Sequence, residues 1–129
     1  MNTYATKGSA GVDLTAVGNY TVKPDERVLV KTNLDGPLLD GDDSIYGLVV
    51  PRSGLAINHG ITVLNSPGVI DADYTGNIGV ILYNAGVDDY DVKDGDKVAQ
   101  LLTMQMVRLT RFAVEDKERK DSGYGSTGA

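Results

Sequence analysis

Short β-branched runs, cut by glycine at close intervals, restrict this chain more than any other feature. The runs "YTVKP", "RVLVKTNL", "SIYGLVVP", "GITVLN", "NIGVILYN" and "YDVKDG" follow one another, and 16 glycines punctuate the 129 residues. Val, Ile, Thr and Tyr suit a pleated, half-buried surface, and glycine supplies the turns between strands. The pattern predicts an all-β sandwich or barrel. "RVLVKT" alternates, with Val28, Val30 and Thr32 on one side and Arg27, Leu29 and Lys31 on the other. "NIGVILYN" is apolar on both faces, with Ile78, Val80 and Leu82 against Ile81 and Tyr83. Such a strand is buried twice, either centrally in a sandwich or at a subunit contact. Asp40-Gly41 and Asp94-Gly95 are turn signals. "VAQLLTMQMVRL" has a partial helical stripe at Val98, Leu101, Leu102 and Met106, but Gln105 interrupts it and the surrounding β pattern favours strand. One short helix is expected at "SGLAINHG", between Pro51 and Gly60.

The length suits one domain. A net charge of −6 excludes the broad basic footprint of a nucleic-acid or anionic-membrane binder, though a few placed cations suffice for a small phosphorylated ligand. Without cysteine there are no disulfides and no thiolate–zinc sites. No apolar run approaches the ~20 residues of a bilayer span. "MNTYATKGSAG" lacks a basic-then-apolar signal pattern, so a cytoplasmic location is the expectation. From Glu115 onward the chain turns polar, and only Tyr124 is an apolar residue larger than Ala. Residues 1–115 therefore read as the β core and 116–129 as a mobile C-terminal arm.

Several chemical motifs fail on inspection. Gly123-x-Gly125-x-x-Gly128 spells a dinucleotide fingerprint, but only Ala129 follows, so no helix can receive the phosphates. No Lys completes a P-loop there. Setting Gly41 or Gly95 at the sixth position of a calcium loop puts Gly36 or Tyr90 at the first, where Asp is needed. His59 is the only histidine, and a Ser53–His59–Asp triad lacks a G-x-S-x-G elbow.

Five segments remain: "AGVDLTA" (10–16), "PRSGLA" (51–56), "GVIDADYTG" (68–76), "GDKVAQLL" (95–102) and "RKDSGYGSTG" (119–128). Their order and spacing, over nearly the whole chain, resemble the trimeric dUTPases, which hydrolyse dUTP to dUMP and pyrophosphate. The resemblance implies a jelly-roll-like β fold and a homotrimer with sites built from neighbouring subunits. It also implies C-terminal arm exchange, the arm of one chain closing over the site of another. The glycine-rich tail would then be a lid whose backbone N–H groups and hydroxyls wrap a triphosphate.

The same resemblance assigns roles. Asp71 would orient and deprotonate the water that attacks the α-phosphorus, with Asp73, two residues on along an extended strand, in a supporting place. "ITVLNSPGVI" would be the hairpin that reads uracil, through the Asn65 amide and the backbone of Gly68, Val69 and Ile70. Tyr74 would lie against the deoxyribose; its ordinary alternative is a packing tyrosine. Arg52, Ser53 and Gly54 would hold phosphate, with Gln100 donating its amide. Asp13, at the start of a strand, would hold Mg2+ through water. In the arm, Arg119 would neutralise the γ-phosphate, Tyr124 would stack on uracil, and Gly125, Ser126 and Thr127 would wrap the phosphates.

The chain departs from the family pattern in places. Tyr124 stands where Phe is usual, Lys120 and Ser122 stand where glycines are common, and "AGVDL" begins at Ala10, where family members usually have a further strand before it. Two other functions fit the same segments. A dCTP deaminase relative shares the fold but needs a catalytic Glu, which "GVIDADY" lacks. A regulatory protein would use the dUTP site as a switch for binding another protein.

Overall fold

The architecture is that of a computed structural model in which residues 3–115 are described. The elements run β1 (Gly11–Thr15), β2 (Tyr20–Val22), β3 (Arg27–Val30), β4 (Ile45–Val50), α1 (Ser53–His59), β5 (Ile61–Val63), β6 (Gly68–Ile70), β7 (Val80–Asn84), β8 (Tyr90–Val92) and β9 (Lys97–Gln105). They form a four-stranded sheet β1-β9-β4-β6, a three-stranded sheet β3-β7-β5 and a two-stranded ribbon β2-β8. Among the described residues every ladder is antiparallel.

All three sheets turn one face to a shared core. Leu14, Val22, Val30, Val49, Leu82 and Val98 are each at most 2% exposed, and complete burial of such a side chain stabilises by about 1.5–3 kcal/mol. The alternation of β3 holds: Val30 and Thr32 are buried while Leu29 faces out. β7 is the middle strand of its sheet, as its apolar pattern predicts, with Val80 and Leu82 buried. Its other face, Ile81 and Tyr83, stays half-exposed in the single chain. Asn84 ends β7 fully buried, donating to the carbonyls of Val22 and Asp88 at 2.8 Å and accepting from Gly86 N–H at 2.8 Å. A buried amide satisfied on both ends fixes that corner.

The segment "VAQLLTMQ" is strand, within β9. A bulge interrupts it: Leu14 pairs with Ala99 and Thr15 with Lys97, leaving Val98 as an extra residue. Val98 and Ala99, adjacent in sequence, are therefore both buried. The same slip brings Lys97 onto the outer face that Gln100 shares.

The expected helix forms over Ser53–His59. Arg52 is extended (φ −93°, ψ 132°), and Gly60 takes the left-handed conformation (φ 69°) that ends the helix. "ITVLNSPGVI" differs from expectation. It is a corner between sheets rather than a hairpin, because β5 pairs with β7 and β6 pairs with β4. Each arm completes a non-local ladder, and the exposed residues 64–67 cross between them.

Candidate active site

The outer face of the four-stranded sheet gathers residues from three distant segments. Asp13 is the third residue of β1, not its start, and lies directly across from Gln100 of β9. Gln100 in turn faces Val50, the last residue of β4, and its amide donates to the Pro51 carbonyl at 3.2 Å. Beyond Pro51 the chain enters α1 through Arg52. The Arg52 Nε lies 3.6 Å from Asp13 Oδ1, and Lys97 Nζ lies 3.5 Å from Asp13 Oδ2. Asp13, Arg52, Ser53, Gly54 and Gln100 share the lining of a hollow of about 290 Å3.

Two cations against one carboxylate leave this cradle net positive. The contacts are loose and the side chains partly exposed, 35% for Arg52 and 54% for Lys97. Ion pairs of that kind contribute little, roughly 0–1 kcal/mol, so an entering anion displaces them cheaply. Nothing lies within 4 Å of where a Cβ on Gly54 would stand. The fold does not itself require glycine there, and Gly54 is one of the residues that line the hollow. Lys97 is the residue that strand alternation misses, since three positions separate it from Gln100 and only the bulge at Val98 puts both on one face.

Asp71 lies elsewhere in the chain. β6 ends with Ile70 opposite Gly47, so Asp71 follows on toward Tyr46, about 14 Å along β4 from Val50 at ~3.4 Å per residue. It opens a turn rather than continuing a strand: Tyr74 N–H donates to Asp71 O at 3.2 Å. Asp71 and Asp73 are both exposed, but the turn removes the extended-strand relation expected between them. Tyr74 is 8% exposed, belongs to the core cluster, and donates its hydroxyl to Asn77 O at 2.7 Å. In the single chain it has the packing role of its ordinary alternative. The Asn65 amide lies over Gly68, its Nδ2 3.2 Å from where a Cβ would stand. Gly68 is buried and Val69 is 63% exposed. Arg119, Tyr124, Gly125, Ser126 and Thr127 lie outside the described residues.

His59 ends α1 and packs on Tyr90, with ring centroids 4.9 Å apart at 47°. Ser53 is at the other end of the helix, roughly 9 Å away at 1.5 Å per residue, which rules out a triad through this pair. Burial raises the Tyr90 hydroxyl above its ordinary range, Asp96 adds to the rise, and the nearby Arg52 charge opposes it. A second hollow of about 420 Å3, lined by Asp25, Glu26, Arg27, Leu64 and Tyr83, contains none of the expected phosphate-binding residues.

Fold and cradle together define an antiparallel β protein with a small hollow at a strand–helix junction, where two cations flank one carboxylate. The family model for dUTPase matches residues 1–128, and the chain belongs to the dUTPase family. It is 42% identical over 94% of its length to a deoxyuridine 5'-triphosphate nucleotidohydrolase of Swinepox virus, covering 84% of that protein. It is 44% identical over 97% of its length to one from Anaeromyxobacter, covering 85% of it. Among solved structures, a point mutant of the dUTPase from phage phi11 of S. aureus, described with a structural Mg(II) ion, superposes with a TM-score of 0.77 at 22% identity over 90% of each chain. At that identity the superposition speaks for the fold.

Proposed function

We propose that this chain hydrolyses dUTP to dUMP and pyrophosphate at a site shared between copies. The observation that carries the reading is the convergence of Asp13, Arg52, Lys97 and Gln100, from three separated segments, on one net-positive cradle. Family membership supplies the substrate class. Arg52 offers a planar fork to phosphate oxygens, Lys97 a point charge, Ser53 a hydroxyl and Gln100 an amide. Arg119 of the arm adds charge at the far phosphate, and Ser126 and Thr127 add donors.

Asp71 accepts the proton of a water whose oxygen forms a bond to the α-phosphorus. The bond from that phosphorus to the bridging oxygen breaks on the opposite side, and pyrophosphate leaves with the electron pair. Asn65 and the backbone of Gly68, Val69 and Ile70 read uracil. Cytosine offers a donor where uracil offers an acceptor, leaving fixed partners unpaired. Tyr74 lies below the sugar, and Tyr124 stacks on the base.

The separation along β4 favours assembly. One protomer holds the cradle and Asp71 too far apart for a single α-phosphorus, so a second copy completes the site, in keeping with a homotrimer. Val107, Leu109, Phe112 and Val114 are 60–94% exposed in the single chain, an apolar stretch suited to cover by another copy. Among the described residues no group of three or more acidic or histidine side chains forms a metal cage. The donor set therefore suits Mg2+ that keeps its waters and takes substrate oxygens, with Asp13 reaching it through water. Bound there, the ion would neutralise charge on the phosphate chain. Among the described residues no helix is long and apolar enough to cross a membrane.

The test is pyrophosphate release across the deoxynucleoside triphosphates with and without Mg2+, beside a mass measurement of the oligomer. Selective, Mg2+-dependent release from dUTP by a trimer is the expected result. Ammonia from dCTP, or a monomer, would overturn the reading.

A further inference from the structure

The site's chemistry depends on where Asp71 is held, and Asp71 is fixed from two sides. On one side is the last β4–β6 pair, Gly47 with Ile70. On the other is the Asp71–Tyr74 turn, which Tyr74 ties through its hydroxyl to the Asn77 carbonyl. The Asn77 side chain ties that same residue to the 32–35 segment. Its Oδ1 accepts from Thr32 N–H at 3.2 Å, and its Nδ2 donates to Thr32 O at 2.6 Å, pairing both backbone groups of a residue that is 1% exposed. Nδ2 also reaches Asp35 Oδ1 at 3.0 Å and Leu34 O at 3.3 Å. The Thr32 hydroxyl donates to Ile78 O at 2.6 Å and accepts from Leu34 N–H at 3.3 Å. Gly36 N–H donates to Gly76 O at 3.0 Å, and a Cβ on Gly36 would stand 1.8 Å from the Tyr74 carbonyl oxygen.

We propose that Asn77 is a positioning residue, and that the Thr32–Asn77 pairing, latched by Gly36 under Tyr74, holds the Asp71 carboxylate at the placement water activation requires. The inference rests on the reading of Asp71 as the base. None of these groups lines the cradle, so the network acts on the attacking water and not on phosphate affinity. A misplacement of 1 Å costs on the order of 10²-fold in rate, and a pairing that satisfies both backbone groups of a buried residue leaves the turn little freedom.

Two chemically unrelated changes disturb the same latch. Asn77→Ala removes the pairing, and Gly36→Ala pushes a methyl into the Tyr74 carbonyl. Each is expected to lower kcat by about 10- to 100-fold, with the Kd of a non-hydrolysable dUTP analogue within about threefold of wild type. Asp35→Ala removes one exposed acceptor, keeps the fold if the others do not, and is expected to lower kcat by about two- to tenfold. In an Asp71→Asn background, Asn77→Ala is expected to change the residual single-turnover rate by less than about threefold, because the group it positions is gone. Unchanged kcat in the folded variants overturns the inference. So does a loss matched in analogue affinity, or one equally large without the Asp71 carboxylate. Wild-type protein that leaves dUTP intact, or Asp71→Asn with near-normal turnover, defeats the underlying reading first, and is recognised before any Asn77 variant is made.

Discussion

β4 separates two regions built to different tolerances. At one end, Asp13, Arg52 and Lys97 meet at 3.5–3.6 Å with side chains 23–54% exposed. Past the other end, the 71–77 segment packs so closely that Gly36 has no room for a methyl, and Tyr74 is 8% exposed. The contrast fits the work proposed for each region. Charge attracts phosphate over several ångströms and tolerates movement. Removing a proton from an attacking water does not, because the rate falls steeply with misplacement. A site divided this way can keep its binding half loose and its reactive half rigid.

The sharpest way to break the comparison is at Asp71. Asp71→Asn should lower turnover by about 10²–10⁴-fold while a non-hydrolysable dUTP analogue still binds; near-normal turnover would make the rigid half irrelevant to chemistry. Arg52→Ala should raise KM by about 10- to 100-fold through lost charge-assisted hydrogen bonds, and steady-state kinetics will show whether kcat follows. Lys97→Met, at the more exposed cation, should raise KM by less than about tenfold, with the difference shrinking as salt is added. Equal sensitivity at low and high ionic strength would mean that Lys97 acts by contact rather than by field.

The smallest effect concerns Tyr90, beside the cradle. Its raised pKa means that the fold prefers the protonated phenol. That contribution is complete below the unfolded tyrosine's pKa and is lost as pH rises through the higher folded value. Alkaline denaturation should therefore be slightly blunted in Tyr90→Phe, and ultraviolet titration should show one late phenol missing from that variant. If all tyrosines ionise together in both proteins, burial does not hold the Tyr90 proton.

Local chemistry made much of this readable in the chain. β-branched runs marked the strands, Pro51 and Gly60 bracketed the helix, and Gly41 and Gly95 take the left-handed turns expected of Asp-Gly. Asp13 facing Gln100 agrees with two motifs that the sequence sets 87 residues apart. The misses arose where tertiary pairing decides. The corner at 61–70 uses the same Pro-Gly chemistry as a hairpin, and only the ladders to β4 and β7 tell them apart. The turn after Asp71 is anchored by Tyr74 on Asn77, a contact that no spacing rule reveals. The place of Lys97 is hidden in the sequence because a bulge is invisible to a period-two count. The arm residues lie outside the described structure.

The vacant volume over Gly54 has a use in protein engineering. A methyl added there meets no neighbour within the protomer, so folding should be indifferent to it, while Gly54 lines the hollow. Such a position can separate recognition from stability: if the hollow holds phosphate as proposed, side-chain size at 54 becomes a dial on what is admitted, adjustable without compensating changes in the interior.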